Sequence, residues 1–172
     1  MIHIFLDTET TGLGPFGMPG RHDQIIQVAM IWEVNGKLQY IQEFANPGME
    51  YLGDSSEALM LQGRTIIDVL AYQDISIAAT LVRAKIRDIK AEFHAWNIPF
   101  DRYFLEQGPW NLNLNWGEDP MVLASRYMGY SYDRIALRKA SRYFQIRMPE
   151  SYRFHNALAD AYMAMKIYEA MK

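Results

Sequence analysis

The sequence predicts an α/β fold, a central mixed β-sheet flanked by α-helices, and three observations predict it. Two runs rich in β-branched and aromatic residues, Gln24–Val34 and Leu38–Ala45, flank Asn35-Gly36, the pair that most favours a two-residue hairpin turn. Beyond this hairpin, helical and extended patterns alternate along the chain. The last segment, Asn156–Met171, repeats apolar residues at helical spacing. With 172 residues, 50% of them hydrophobic and 22% charged, the chain fits a single domain, 1–172, able to bury a core without covalent staples.

The elements follow in order. Ile2–Leu6 is apolar and reads as a strand. Thr11–Asp23 holds four glycines and two prolines and reads as a loop. After the hairpin, Ser55–Leu61 is a short helix stopping near Gly63. Ile75–Ile89 is amphipathic, with Ile75, Ala78, Ala79, Val82 and Ile86 on one face. Ala91–Trp96 is a second apolar strand. Phe100–Gln107 is a helix stopped by Gly108-Pro109. Residues 120–128 and 134–144 are helical, and Asn156–Met171 closes the chain.

Composition excludes several function classes. There are no cysteines, so disulfides and thiolate metal sites are out, and any metal must be held by carboxylates or histidines. No apolar run reaches the ~20 residues that span a bilayer, and Met1–Leu6 lead straight into Asp7 with no secretory signal. The expected location is the cytoplasm, with no membrane partner. Net charge is −3. Residues 133–153 nevertheless carry Arg134, Arg138, Lys139, Arg142, Arg147 and Arg153 against Asp133 and Glu150.

Three short segments carry chemistry. Asp7 and Glu9 end the first strand, and residues two apart share a strand face. Two carboxylates so placed repel unless a cation lies between them, and a hard divalent ion such as Mg²⁺ or Mn²⁺ takes oxygen ligands. The plainer reading, solvated carboxylates on an edge strand, is weakened by apolar Ile4-Phe5-Leu6 just before them. In Asn97-Ile-Pro-Phe-Asp101, Asn97 caps a helix, Pro99 suits its first turn, and Asp101 meets the positive end of the helix dipole. By itself this is an ordinary helix start. In His155-Asn-Ala-Leu-Ala-Asp160, five residues of helix turn about 500°. His155 and Asp160 therefore cannot share a face within one regular helix, and His155 must precede it or sit in its first turn. Asp160 falls on a stripe with Met163, Ala164, Ile167 and Met171, and a carboxylate facing a core is costly unless paired or metal-bound. Taken alone, His155 reads equally as a capping residue.

In their order and spacing these motifs resemble the DEDDh (DnaQ-like) 3′→5′ exonucleases, the family of bacterial polymerase proofreading subunits, RNase T and oligoribonuclease. The resemblance covers nearly the whole chain and rests on Asp7-Thr-Glu9-Thr-Thr-Gly, Asn97-Ile-Pro-Phe-Asp101 and His155-Asn-Ala157-Leu-Ala-Asp160-Ala161. Gln24–Ile31 is similar to the family's hairpin segment. The resemblance implies a ribonuclease H-like fold and two divalent cations, Mg²⁺ or Mn²⁺. Asp7 would bridge them, with Glu9 and Asp160 on one, Asp101 on the other, and His155 as the base. Two such ions would bring the net charge to about +1. It further implies that Thr10 and Thr11 contact the terminal nucleotide and that Glu57 and Gln62 lie near it, Gln62 standing where the family has histidine. Phe16 and Met18 would line the pocket or simply pack.

The expected partners are 3′ ends of single-stranded DNA or RNA, with DNA proofreading or trimming favoured and a DNA polymerase as a protein partner. Competing readings are an RNA-trimming exoribonuclease, and a non-catalytic nucleic-acid-binding or polymerase-docking subunit on the same fold. Arg134, Arg138 and Arg142 recur every four residues and would form one basic stripe on a helix, either a track for the strand's backbone or a solvated face.

Overall fold

Strand β1 runs Ile2–Thr10, four residues beyond the apolar stretch, so both carboxylates stay inside the sheet. The computed structural model describes residues 1–14, 22–150 and 152–172. Most of the glycine-rich loop, with Phe16 and Met18, lies outside them. Strands β2 (Ile25–Val34) and β3 (Lys37–Asn46) form the expected hairpin. Asn35 and Gly36 have φ of 52° and 75°, the two positive values that a twist-compatible hairpin turn requires. Two-residue β4 (Gln73–Asp74) and β5 (Ala91–Ala95) complete a five-stranded sheet in the order β4-β3-β2-β1-β5. β1 is antiparallel to β2 and parallel to β5, so the sheet is mixed.

Helices α1 (Ser56–Leu61), α2 (Ile66–Leu70), α3 (Ile75–Ile86), α4 (Ile98–Glu106), α5 (Pro120–Tyr127), α6 (Leu137–Tyr143) and α7 (Ala157–Ala170) flank the sheet. Alternation along β1 sorts its side chains between two cores. Ile4 and Leu6 pack with Ala78, Ala79 and Val82 of α3 and Phe104 and Leu105 of α4. Phe5, with Ala29 and Ile31 of β2, packs against Leu158, Ala161 and Met165 of α7. α5 and α6 close over the far side of α7 around Met121, Ala140 and Ile167. Strand β2 is buried from Ile25 to Ile31 because both of its faces are covered.

The structure departs from the sequence reading in several places, among them the unanticipated β4 and an α3 that ends at Ile86 instead of Ile89. α7 is buried almost all round, between the sheet and the α5–α6 pair, rather than along one stripe. α6 begins at Leu137 instead of 134. Ile135 is buried, and its carbonyl accepts a hydrogen bond from Trp96 Nε1 at 2.9 Å, which a helix would have used internally. Arg134 therefore stands off the helix, and the three-arginine stripe reduces to Arg138 and Arg142. The α4 N-terminus is not capped by the Asn97 side chain. Asp119, 22 residues further on, accepts from the Asn97 and Ile98 amides instead, at 3.3 and 2.8 Å. Finally, α2 was unanticipated, since five residues are too few to show a period. Its capping box, with Thr65 and Asp68 each accepting from the other's backbone amide, was nonetheless legible as Thr65-Ile-Ile-Asp68.

Candidate active site

Asp7 and Glu9 leave β1 on the face that α7 covers, opposite Ala29 and Gln27 of β2. Asp160, in the first turn of α7, reaches the same point, and one carboxylate oxygen from each of the three lies within 4.8 Å of the others. Asp160 Oδ2 accepts from the His155 backbone amide at 3.1 Å, while its Oδ1 is buried with no hydrogen-bond partner among the described residues. A buried, unpartnered carboxylate oxygen beside two more carboxylates is a donor set that suits a hard divalent cation. His155 precedes α7, as the angular argument required. Its φ of 62° turns the chain just ahead of Asn156, which caps the helix through the Leu158 amide at 3.2 Å.

Asp101 does not join the trio directly. It is buried at the start of α4, where Thr8 Oγ1 donates to its Oδ1 at 2.8 Å. Thr8 points to the opposite face of β1 from Asp7 and Glu9, so it links Asp101 to the strand that carries the trio. Sequence reading missed Thr8, and also Gln27. Gln27 is fully buried; its Oε1 accepts from the Arg64 guanidinium and from the Ala157 amide at 3.5 Å. The signal for Gln27 was a polar residue inside an apolar strand.

The electrostatics follow from crowding. Burial first, then Asp101, Asp160 and Glu9, push the Asp7 carboxyl well above the usual range. Burial, followed by Asp160, raises Glu9 to about 8, against a pull downwards from Arg64. Burial raises Asp101 to about 7 despite the Thr8 bond, and Asp160 to about 6 despite the His155 amide.

A cavity of about 430 Å³ opens beside the carboxylates. Glu9, Thr10, Thr11, Glu57, Gln62 and His155 form its polar wall, and Leu13, Leu61 and Phe100 its apolar one. All four residues expected near a terminal nucleotide thus line one space. Gln62 is partly committed, since its Nε2 donates to the Thr10 carbonyl and its Oε1 accepts from Arg64, both at 3.0 Å. Asp23 organises the loop edge, accepting from Thr11 Oγ1 at 3.0 Å and the Gly14 amide at 2.8 Å. Gly12 must lack a side chain, because a Cβ there would lie 2.6 Å from the Asp23 carboxylate. Arg134 lines an adjoining groove that shares Leu13 and Phe100 with the cavity. Arg138 instead lies over the Phe154 ring, 5.7 Å from its centre.

Residues 4–168 match the RNase T family model, described as an exonuclease. The chain belongs to the DEDDh exonuclease family. The chain also resembles solved structures. E. coli exonuclease I in complex with a dA16 oligonucleotide is 18% identical, covers 99% of this chain and gives a TM-score of 0.69. Exonuclease X bound to 5′-overhanging duplex DNA is 22% identical, with 98% of this chain and 90% of that chain covered and a TM-score of 0.67. A 3′-exonuclease recognising a histone mRNA stem-loop is 13% identical, with 99% and 63% covered and a TM-score of 0.72. This chain spans 40% of the exonuclease I chain. These likenesses establish a ribonuclease H-like fold. No curated protein matches the sequence significantly. Among the described residues, no helix is long and apolar enough to cross a membrane.

The raised carboxyls give the protein a testable pH dependence. Each holds its proton more tightly folded than unfolded, so its stabilising contribution is complete below about pH 4. That contribution is lost as pH rises through about 6, 7 and 8 for Asp160, Asp101 and Glu9. In chelator, the melting temperature is expected to fall by roughly 5–10 °C between about pH 5 and about pH 8. Mn²⁺ at the upper pH should restore it. A melting temperature that rises over this range in chelator would show that the cluster is not under like-charge strain.

Proposed function

We propose that the protein is a metal-dependent 3′→5′ exonuclease that hydrolyses the last phosphodiester of a single-stranded end and releases a nucleoside 5′-monophosphate. The observation that carries this reading is the convergence of Asp7, Glu9 and Asp160 on one point, with a buried Asp160 oxygen that has no partner among the described residues, beside a cavity lined by Glu9 and His155. The donors are all carboxylate oxygens, which suits Mg²⁺ or Mn²⁺ and not a soft metal. Asp7, Glu9 and Asp160, with Asp101 beside them, would hold two such ions, which supply Lewis-acid stabilisation of phosphoryl charge and acidify a bound water.

The chain's own residues do the rest. The apolar wall of Leu13, Leu61 and Phe100 takes the terminal base, and Thr10, Thr11, Glu57 and Gln62 surround its sugar. The His155 imidazole accepts the proton of the attacking water. The water oxygen bonds to phosphorus and the bond from phosphorus to the 3′ oxygen of the preceding nucleotide breaks. The departing nucleotide keeps a 5′-phosphate. The shortened strand, once its 3′ oxygen is protonated, ends in a 3′-hydroxyl ready for the next cycle. A cavity of about 430 Å³ accommodates a terminal nucleotide rather than a duplex.

DNA is the favoured substrate, since two of the three solved likenesses were determined with DNA, and the histone mRNA complex makes RNA the second. The deciding experiment uses single-stranded DNA and RNA of one sequence, labelled at the 5′ end. With Mn²⁺ or Mg²⁺ the label should appear in a ladder of progressively shorter strands, faster on DNA. Ca²⁺, which takes more ligands at longer distances, should support binding without turnover. Immediate release of the label as a mononucleotide would reverse the polarity. Intact substrates at every metal concentration would leave a binding protein on a nuclease fold.

A further inference from the structure

At the other end of β1, away from the carboxylates, a second set of ligands converges. His3, Glu92 and His94 each present one ligand atom, and these atoms lie within 4.8 Å of one another. The parallel register of β1 and β5 places them, with His3 opposite Glu92 and Phe5 opposite His94, so all three side chains share the face that α7 covers. His3 stands four residues before Asp7, about 13 Å along the strand, so the two clusters are separate.

His94 is the fixed member. It is fully buried, between the Phe5 and Tyr168 rings, each with its centre 4.9 Å away. Its Nδ1 lies 2.8 Å from the Glu118 carbonyl oxygen. A carbonyl only accepts, so Nδ1 carries the proton and the neutral ring's lone pair is on Nε2. Burial also lowers the His94 pKa, which keeps that lone pair available. The loop holding the ring passes so close that a Cβ on Gly117 would lie 2.4 Å from the imidazole Cε1. Nε2 points at His3 Nδ1, 2.9 Å away, and the same His3 nitrogen lies 3.7 Å from Glu92 Oε2. A histidine whose far nitrogen donates to a backbone carbonyl, with its lone pair aimed at other donors, is how proteins orient a metal ligand. The His3 and Glu92 side chains are 44% and 36% exposed, which leaves an entry path and room for water in a fourth position.

We propose that His3, Glu92 and His94 form a second metal site, for a divalent transition ion of the Zn²⁺ type, chemically distinct from the carboxylate cluster. Two imidazoles and one carboxylate suit Zn²⁺, whereas Mg²⁺ prefers oxygen alone. Binding requires no net proton release. The His3 proton moves from Nδ1 to Nε2, and the freed Nδ1 lone pair joins that of His94. The ion ties β1 to β5 on the strand that also carries Asp7 and Glu9.

The test is a titration of the full chain with Zn²⁺, in excess Mg²⁺, followed by the ring-nitrogen NMR signals of the four histidines. His155 reports uptake at the carboxylates, and His22 controls for non-specific binding. Near one equivalent, the His3 Nδ1 and His94 Nε2 signals should move while those of His155 and His22 stay. His3→Ala removes an exposed side chain and spares the buried ring. It should weaken the Zn²⁺ response of His94 roughly tenfold or more, and Glu92→Gln should weaken it less. His94 signals that stay put through excess Zn²⁺, or that move with the same midpoint in His3→Ala, would reduce the pair to a hydrogen bond between two rings. Movement of His155 alone would place the ion at the carboxylates and overturn the proposal.

Discussion

Replacing Asp7 by Asn is expected to lower turnover by roughly 10³-fold or more while leaving the fold intact. The loss corresponds to removing an interaction worth several kcal/mol in the transition state. Burial raises the Asp7 carboxyl first, and Asp101, Asp160 and Glu9 each raise it further, so this side chain faces all three. An amide keeps the size of the side chain but removes the charge on which a divalent cation at this point would depend. The same change relieves repulsion when no metal is bound, so the metal-free variant should melt no lower than wild type at pH 8, and should respond less to Mn²⁺. Asp160→Asn should behave alike, because its unpartnered Oδ1 belongs to the same point. Near wild-type turnover of either variant at saturating Mg²⁺ would refute the metal assignment. A variant that loses both turnover and its melting transition would show that the carboxylate is structural.

His155→Ala is expected to slow turnover by roughly 10²–10⁴-fold with metal binding unchanged, the usual cost of removing a general base. His155 is exposed at the cavity rim and meets Asp160 through its backbone amide, so among the described residues its side chain can be removed without unpairing a buried group. Its φ of 62° calls for one precaution. Asn tolerates that conformation better than Ala, so His155→Asn separates loss of the base from backbone strain. Both variants should bind Mn²⁺ with wild-type affinity and turn over slowly. If instead Mn²⁺ binding weakened and high Mn²⁺ restored the rate, His155 would be a ligand.

Much of this site is legible in the amino-acid sequence. The i, i+2 spacing of Asp7 and Glu9 puts both on one face of a strand whatever the strand packs against. The 500° of helix between His155 and Asp160 required the histidine to stand outside the helix. Asn35-Gly36 specified its turn because few other pairs accept two positive φ values. The absence of cysteine excluded thiolate metal sites and disulfides. Each of these follows from bonds and periods along the chain.

Other features depended on which surfaces meet. Thr8 holds Asp101 from the opposite face of β1, and Asp119 caps α4 across 22 residues of sequence. Gln62 spends its amide on the Thr10 carbonyl, 52 residues away. Arg134 left the basic helix because the Ile135 carbonyl is taken by Trp96, and α7 lost its polar face because α5 and α6 cover it. His94 owes its orientation to Glu118 and its neighbour His3 to the parallel register of two strands that are far apart in sequence. The sequence alone determined the local geometry of the motifs, since period and turn chemistry act between neighbouring residues. Only the tertiary structure decided which polar atoms found partners and which, like Asp160 Oδ1, found none among the described residues, because that depends on distances between elements that no period along the chain encodes.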